Sequence, residues 1–252
     1  MNSINNTLFV GKVLNHFDEL PSTNLLALEM LANERITEGV VVSTFHQTAG
    51  RGQMGNRWES HPNQNISVSI VLLPTFIQAR EQFHLNKAIA LAVSDFVSLF
   101  TEGVAVKWAN DIYVGDKKVA GILIQNTLSG DTIQSSVVGI GVNVNQTVFT
   151  NLPNASSLKL ASGKSLDLPT ALEKLLKCVE ARYLQLKTRK FEDLHTEYLE
   201  KMFRFGEDFI FQYPNEIYFS GKIVGVTDAG QLTVMTKQGM ENFDIKEIKF
   251  VI

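Results

Sequence analysis

The chain has 252 residues, 44% of them hydrophobic, enough for one large domain or a large domain with a small one. Its 23 basic and 26 acidic residues give a net charge of −3, which argues against the basic surface of a nucleic-acid-binding protein. The single cysteine, Cys178, excludes an intramolecular disulfide bond and, from its helical surroundings, predicts a small buried side chain rather than a nucleophile. The sequence contains no signal peptide and no apolar segment of membrane-spanning length, so we expect a cytoplasmic protein without a membrane anchor.

The first half of the chain predicts two helices and two strands. Residues 22–34 predict a helix, because Ser22, Thr23 and Asn24 are favourable N-cap residues and leucines follow at helical spacing. The further elements predicted in this half are a strand at 39–45, a strand at 66–73 and a helix at about 79–100.

The second half predicts an antiparallel meander followed by helices. Strands are predicted at 104–108, 111–114, 118–128 and 132–145, a loop at 151–165, and helices at about 169–188 and 191–203. The turns between these strands are too short to hold crossover helices, which indicates antiparallel pairing. We therefore predict an α+β body, a mostly antiparallel sheet with packed helices.

The tail of the chain changes character at Gly206. From there short strands alternate with turns over about 47 residues, a spacing typical of a small β-barrel. We place a boundary near residues 203–206, which divides the chain into domains at 1–204 and 205–252.

The segment GRGQMGNRW, from Gly50 to Trp58, fits the pattern G-x-G-x-x-G of dinucleotide-binding loops. That pattern requires a helix after the glycines and an acidic residue about twenty positions on. Here a strand follows instead and no acidic residue lies near position 70, so the dinucleotide interpretation fails. What remains is a mobile glycine loop in which Arg51 and Arg57 can clamp an anion. Taken alone, the loop could equally be a surface hairpin with solvated arginines.

Five segments in order decide between these interpretations: PSTN, HQTAGRGQMGNRW, KWANDIY, KKVAGILIQ and GIGVNVN. Over about residues 20–145 they closely resemble the bacterial biotin protein ligases, the biotin–[carboxyl carrier protein] ligases. The tail resembles that family's C-terminal SH3-like domain more loosely. The resemblance implies a biotin/lipoate ligase-like fold related to the catalytic domains of class II synthetases.

The resemblance also implies a reaction and its partners. Biotin and ATP give biotinyl-5′-AMP and pyrophosphate, and biotin then passes to one lysine of a biotin carboxyl carrier protein of acetyl-CoA or a related carboxylase. ATP brings Mg²⁺, whose protein ligands the sequence does not identify, since no cluster has the spacing of a zinc site. Because the PSTN motif lies near residue 22, we expect no N-terminal DNA-binding domain and no repressor role. A homodimer through the sheet edges stays open.

A biotin site needs neutral hydrogen-bonding groups for the ureido ring and apolar walls for the bicycle. The resemblance assigns the first role to Ser22, Thr23, Asn24 and Gln47, although the first three could merely cap the helix. The predicted walls are Trp58, Gly121, Ile122 and Leu123. Arg51, Gly52, Gln53 and Lys118 complete the predicted biotin site. Some relatives carry arginine at position 53, so retention of the adenylate is in question.

Positive charge is needed around the reacting carboxylate and phosphates. The resemblance assigns catalysis to Lys118 and Arg51, and strand alternation turns the neighbouring Lys117 to the other face. Asp111 is the acidic candidate, as proton acceptor or through Mg²⁺, with a turn cap as the alternative. The predicted ATP and adenylate site comprises Gly50, Gly55, Arg57, Trp58, Lys107, Asn110 and Asn143.

Several of these residues have ordinary structural alternatives. Trp58 could be core packing, Lys107 a solvated strand end, and Asn143 a cross-strand polar residue. Two other functions also compete. A lipoate or octanoyl ligase would need a deep apolar slot, and a non-catalytic binding module would have no use for Arg51 and Lys118 beside a glycine loop.

Overall fold

The computed structural model describes residues 4, 6–33, 36–150 and 152–251. Its first nine strands are β1 (Leu14–Phe17), β2 (Val41–Thr44), β3 (Gly50–Arg51), β4 (Arg57–Trp58), β5 (Asn65–Leu72), β6 (Val104–Lys107), β7 (Asp111–Val114), β8 (Lys117–Ser129) and β9 (Thr132–Asn143). Seven of them form one sheet in the order β1-β2-β5-β9-β8-β7-β6, while β3 and β4 pair as a small separate hairpin. Every pairing in the large sheet is antiparallel except that of β1 with β2.

Helices cover both faces of this sheet. They are α1 (Thr23–Asn33), α2 (Phe83–Ser98), α3 (Leu158–Ser162), α4 (Leu168–Lys187) and α5 (Phe191–Glu200), with 3₁₀ turns at Gln53–Gly55 and Ala79–Glu81. α2 is buried on almost every side, because it packs against α4, α5 and the strands. α1 lies on the opposite face, where Ala27 joins a smaller apolar cluster with Val42 and Val71.

Strand β5 shows how the sheet separates core from site. Side chains alternate between the two faces of a strand. Ile66, Val68 and Ile70 therefore enter the main core on one face, and Ser67 and Ser69 lie on the other. All five are buried, so the serines lie inside the protein and not in solvent.

The tail forms a second sheet. Its strands are β10 (Asp208–Gln212), β11 (Tyr218–Val226), β12 (Leu232–Thr236), β13 (Gly239–Phe243) and β14 (Lys249–Phe250), in the order β13-β12-β11-β10-β14. Met202 bridges to Val106 of the large sheet just before the tail begins. Phe211 and Leu232 of the tail belong to the same apolar cluster as Val106, so the two sheets share one core.

The predicted α+β body with a mostly antiparallel sheet is confirmed, and element bounds agree within a few residues. The predicted glycine loop contains the paired strands β3 and β4, as its hairpin alternative requires, and two further elements differ from expectation. β1 lies in a segment with no predicted strand, and α3 lies within the predicted loop at 151–165. The tail is a five-stranded sheet, and its closure into an SH3-like barrel stays a prediction.

The structure also bears on the cysteine and on the length of the helices. Burial raises the pKa of the Cys178 thiol to about 11, which suits a packing role. Within the residues described, no helix combines the length and apolar character needed to cross a membrane.

Candidate functional site

A cavity of about 860 Å³ opens between the large sheet, the β3–β4 hairpin, the β6–β7 turn and the tail. It gathers residues that are far apart in the sequence. The residues lining it that the sequence predicted are Ser22, Thr23, Asn24, Gln47, Arg51, Gly52, Gln53, Arg57, Trp58, Lys107, Asn110, Asp111, Lys118, Gly121, Ile122 and Leu123. Three predicted residues, Gly50, Gly55 and Asn143, are not among those lining the cavity.

Glycines make the floor of the cavity. Gly141 of β9 pairs with Gly121 of β8, and Gly139 lies two residues along the same strand. A Cβ atom on Gly139 would lie 2.1 Å from Asn24 Oδ1, and one on Gly141 would lie 2.4 Å from Trp58 Cε2. Only glycine lets these two side chains lie directly on the sheet.

One end of the cavity carries uncharged hydrogen-bonding groups. Gln47 Oε1 accepts from the Thr23 backbone N–H at 2.9 Å, and the Ser69 hydroxyl lies 2.8 Å from Thr23 Oγ1 and 2.5 Å from Asn24 Oδ1. Asn24 Nδ2 donates to Gln125 Oε1 at 3.1 Å. This buried network fixes the orientation of each amide and hydroxyl, as recognition of a neutral polar ligand requires.

Ser22 combines both roles that the sequence left open. Its hydroxyl oxygen lies 3.5 Å from the Leu25 backbone N–H, a long cap at the start of α1. It also lines the cavity with Thr23 and Asn24. Capping and lining are therefore compatible at this helix end.

The other end of the cavity is cationic. Lys118 Nζ lies 2.7 Å from Asp111 Oδ1 and 5.6 Å from the centre of a Trp58 ring. Its neighbour Lys117 is exposed and donates to the Pro153 carbonyl at 2.7 Å instead. Strand alternation thus places one lysine of the pair in the cavity and the other outside it.

Lys107 lies beneath the tail. Its Nζ is 5.3 Å from the Tyr113 ring and 4.8 Å from the Phe250 ring of β14. Burial lowers the pKa of this ammonium, opposed by the attraction of Asp111. An ammonium with little water around it binds an incoming anion strongly, because little solvent must be displaced.

The β3–β4 hairpin overhangs the cavity. Arg51 pairs with Arg57 across it, and both side chains are exposed. Gly55 closes the turn with a φ of 84°, a left-handed conformation that favours glycine. Two exposed guanidinium groups on a short hairpin can reach an anion held at the cavity mouth.

Two buried polar atoms in the cavity wall lack a hydrogen-bond partner among the described residues. They are Trp58 Nε1 and Ser67 Oγ. Ser67 pairs across the strands with Gly141, over which the Trp58 ring lies, so the two atoms belong to one region. A buried polar atom without a partner is costly, and a ligand with donor and acceptor groups would offset that cost.

The two asparagines differ in placement. Asn110 lines the cavity, and its side chain donates to the Ile122 carbonyl, which ties the β6–β7 turn to β8. Asn143 donates to the Ser156 carbonyl at 2.9 Å, next to the segment that bridges to Lys118. Asn143 does not line the cavity.

Sequence reasoning missed part of the lining. The missed residues are Asn56, Ser67, Trp108, Ala109, Gly139, Ile140, Gly141, Pro214, Ile245, Lys246, Ile248, Lys249 and Phe250. The glycines at 139 and 141 carry a signal, since alternating glycines in a buried strand mark a close approach to its surface. The tail residues carry none, because only the folded chain brings β14 over Lys107.

No group of three His, Cys, Asp or Glu side chains suitable for a metal ion occurs in the described ranges. Asp111 is the acidic side chain among the residues that line the cavity. One carboxylate suits a Mg²⁺ ion that is held mainly by nucleotide phosphates.

Comparisons with known proteins agree with this geometry. The model of the biotin/lipoate A/B protein ligase family matches residues 16–143. The chain is 31% identical to the bifunctional ligase/repressor BirA of Bacillus subtilis, covering 96% of this chain and 75% of that protein. It is 29% identical to the biotin–[acetyl-CoA-carboxylase] ligase of Paracoccus denitrificans, covering 91% and 97%.

A solved structure extends the likeness to the fold of the whole chain. The biotin protein ligase of Aquifex aeolicus, in complex with biotin and ATP, superposes with a TM-score of 0.77 at 29% identity, covering 94% of this chain and 97% of that one. The family match spans half of the chain, and the match to the Bacillus relative spans nearly all of it. The chain belongs to the biotin/lipoate A/B protein ligase family.

Proposed function

We propose that this protein is an ATP-dependent biotin protein ligase, which activates biotin as biotinyl-5′-AMP and transfers it to a lysine of a biotin carboxyl carrier protein. One observation carries the proposal: a single cavity joins a neutral hydrogen-bonding end to a cationic end over a floor of glycines. Biotin has the same polarity, with an uncharged ureido ring at one end and a carboxylate at the other. The relatives named as biotin ligases support this choice over lipoate.

At the neutral end, Thr23, Asn24 and Gln47 hydrogen-bond the ureido ring. Their amides and hydroxyls can both donate and accept, as a cyclic urea requires. The glycine floor and the Trp58 ring enclose the apolar bicycle. Lipoate has no ureido group and would leave these buried polar groups without partners, a cost that favours biotin.

At the cationic end, the biotin carboxylate attacks the α-phosphorus of ATP and pyrophosphate leaves. Negative charge grows on the α-phosphate oxygens in that step. Lys118 and Arg51 stabilise it, and Lys107 with Lys249 of the tail neutralises the departing pyrophosphate. Asp111 is the carboxylate that would help to hold a Mg²⁺ ion arriving with ATP, and that ion would neutralise part of the phosphate charge.

In the second step, the amine of the carrier lysine attacks the acyl carbon and AMP leaves. Asp111 already accepts a hydrogen bond from Lys118, so in the empty site it orients that ammonium. When Lys118 turns to the phosphate, Asp111 is free to accept the proton of the attacking amine. Gln53 lines the cavity without adding charge, so retention of the adenylate between the steps relies on the arginines.

The wider proposal follows from the same reaction. The acceptor is the carrier protein of acetyl-CoA carboxylase, the substrate named for several relatives, and the enzyme works in the cytoplasm without DNA. Residues 1–204 form the catalytic domain, and residues 205–252 form a tail domain that completes the ATP end of the cavity.

A direct test incubates the purified protein with α-labelled ATP, Mg²⁺ and either biotin or lipoate, and measures labelled adenylate. We expect adenylate with biotin only. Adding a biotin carboxyl carrier protein should discharge it and attach biotin to that protein. Adenylate with lipoate alone, or none with either acid, would refute the proposal.

A further inference from the structure

Lys87 is a fully buried lysine that the proposed reaction does not use. It lies on α2, and its exposed fraction is 0%. Its Nζ lies 2.8 Å from His195 Nδ1 of α5 and 5.5 Å from the centre of the Phe83 ring. While Lys87 is protonated its ammonium can only donate, so His195 Nδ1 then accepts and the imidazole carries its proton on Nε2.

Charged and titratable groups face this lysine from three directions. His84 lies on α2 itself, Glu192 and His195 lie on α5, and Asp228 lies on the tail turn between β11 and β12. Burial lowers the pKa of the Lys87 ammonium to about 8, while Asp228 and Glu192 oppose that change. Burying the Lys87 charge therefore costs free energy, and the attraction of Asp228 on the exposed tail turn offsets part of that cost.

The same tail turn touches the ring that covers Lys87. Gly230 has a φ of 94°, and a Cβ atom there would lie 2.4 Å from Phe83 Cδ2. Phe83 also meets Tyr198 edge to face, with ring centres 5.9 Å apart. The Phe83 ring therefore packs against three groups: the Lys87 ammonium, Tyr198 of α5 and Gly230 of the tail turn.

Two hydrogen bonds connect this cluster to the cavity. Trp108 Nε1 donates to the Gly230 carbonyl at 2.9 Å, and the Tyr198 hydroxyl donates to the Ala109 carbonyl at 3.0 Å. Trp108 and Ala109 lie in the turn between β6 and β7, which carries Lys107 and Asp111 at the ends of those strands. The cluster therefore contacts the turn that carries Trp108 and Ala109, both of which line the cavity.

We propose that Lys87 is a positioning residue: its buried ammonium holds the tail turn at 227–231 against α2 and α5, and that turn fixes Trp108 and, through it, the cationic end of the cavity. Lys87 touches no substrate. It acts through Gly230 and Trp108 on the placement of Lys107 and Asp111. The effect on ATP follows only if the proposed ligase function holds, whereas the effect on Trp108 does not depend on it.

The first experiment reports on Trp108 without requiring activity. The chain has two tryptophans, so Trp58→Phe leaves Trp108 as the sole emitter. In that background, Lys87→Met should shift the emission to longer wavelength at pH 7, because the indole loses its fixed carbonyl partner and gains water. The parent should show the same shift as pH rises through about 8, where the ammonium loses its proton. The shift with pH should vanish when Met replaces Lys87.

The second experiment separates ATP from biotin in the otherwise natural chain. Pyrophosphate release is measured rather than transfer, since the carrier lysine has its own pH dependence. Lys87→Met should raise the KM for ATP about threefold or more and leave that for biotin within about twofold. Lys174→Met, an exposed lysine on α4, is the matched control and should change neither.

Unchanged Trp108 emission in Lys87→Met, or a pH-dependent shift that survives the substitution, would overturn the proposal and point to Lys107 as the titrating group. If Lys87→Met does not fold, Asp228→Asn at the exposed turn tests the electrostatic attraction between that turn and Lys87. It should give a smaller shift in the same direction, and no shift would overturn the proposal. A chain with the Trp108 effects but no adenylate formation would refute the ligase function and keep this inference.

Discussion

At the scale of single residues, Lys117 and Lys118 offer a sharp comparison. They are adjacent and of the same type, yet only Lys118 faces the cavity. We predict that Lys118→Ala lowers adenylate formation about 10- to 150-fold, since a charge-assisted contact in a closed site contributes roughly 1.5–3 kcal/mol. Lys117→Ala should stay near the natural rate. Equal losses in the two variants, measured by pyrophosphate release, would contradict the assignment of strand faces.

A second prediction at this scale concerns the cavity floor. In Gly139→Ala the new methyl group overlaps Asn24 Oδ1, so that side chain must leave its network with Ser69. We expect the KM for biotin to rise about 5- to 150-fold while ATP use changes little, because the lost contact is worth roughly 1–3 kcal/mol. Gly225→Ala is the control, since its Cβ atom would meet nothing closer than 3.9 Å. An unchanged KM in Gly139→Ala would show that Asn24 does not bind biotin.

Residues could be predicted from sequence where a local pattern carried the chemistry. The S-T-N helix start, the G-R-G turn and the lysine before V-A-G-I each lie within a short segment, and the structure brings Thr23, Arg51 and Lys118 to one cavity. Phe250 and Lys249 could not be found in this way, because nothing in the tail's own pattern says which surface it covers. Ser67 could not be predicted as a site residue because every residue of its strand is buried, so burial does not distinguish it from its neighbours.

At the scale of elements, the β3–β4 hairpin has two residue pairs in its ladder and one further backbone hydrogen bond, from the Gly52 N–H to the Asn56 carbonyl. So short a ladder should open at low cost, and an anion would supply the partner that exposed Arg51 and Arg57 need. We predict that trypsin cuts after Arg51 and Arg57 in the free protein and that biotin with MgATP protects both sites. Ligand-bound closure would also keep water from the mixed anhydride.

Two controls sharpen the proteolysis experiment. Arg189 is exposed in the turn between α4 and α5, far along the chain from the hairpin, and its cleavage should not depend on ligand. Arg51→Ala should reduce protection at Arg57, because one half of the clamp is gone while the glycines stay. Equal cutting with and without ligand would show that the hairpin is not a lid.

The elements that the sequence did not predict are short. β1 has four residues and gains its strand geometry from parallel pairing with β2 at the sheet edge, a tertiary effect that local pattern does not carry. α3 has five residues and is set by the Ser157 cap and by Gly163 in the left-handed conformation, both of which also suit a loop. The longer elements were predictable because their apolar periodicity extends over many residues.

At the scale of the whole molecule, the tail and the body share a core, so deleting the tail would expose apolar surface and confound any kinetic effect. Phe250→Ala tests the tail's role with less damage. We predict that it weakens ATP use about 2- to 30-fold, the range of a desolvated cation–π contact of roughly 0.5–2 kcal/mol, while biotin binding is retained. Met240 is exposed in the same sheet, so Met240→Ala should change neither the use of ATP nor the binding of biotin. If Phe250→Ala lost biotin binding and kept its use of ATP, the assignment of the neutral end of the cavity to biotin and of the cationic end to ATP would be wrong.

The buried ammonium of Lys87 should make the free energy of unfolding depend on pH. Its pKa falls from 10.5 in the unfolded chain to about 8 in the fold, so protonation is disfavoured by folding. Below pH 8 both states are protonated and the penalty, roughly 3 kcal/mol at most, is fully present; it declines as pH rises from about 8 towards 10.5. Lys87→Met removes the charge with a side chain of similar length. We therefore predict a higher unfolding midpoint than the natural chain at pH 7 and a gain that shrinks by pH 10, measured by denaturant titration across that range. A gain that grows with pH would mean that the fold raises the pKa of Lys87 above 10.5 instead of lowering it, which would contradict burial as the dominant effect on this ammonium.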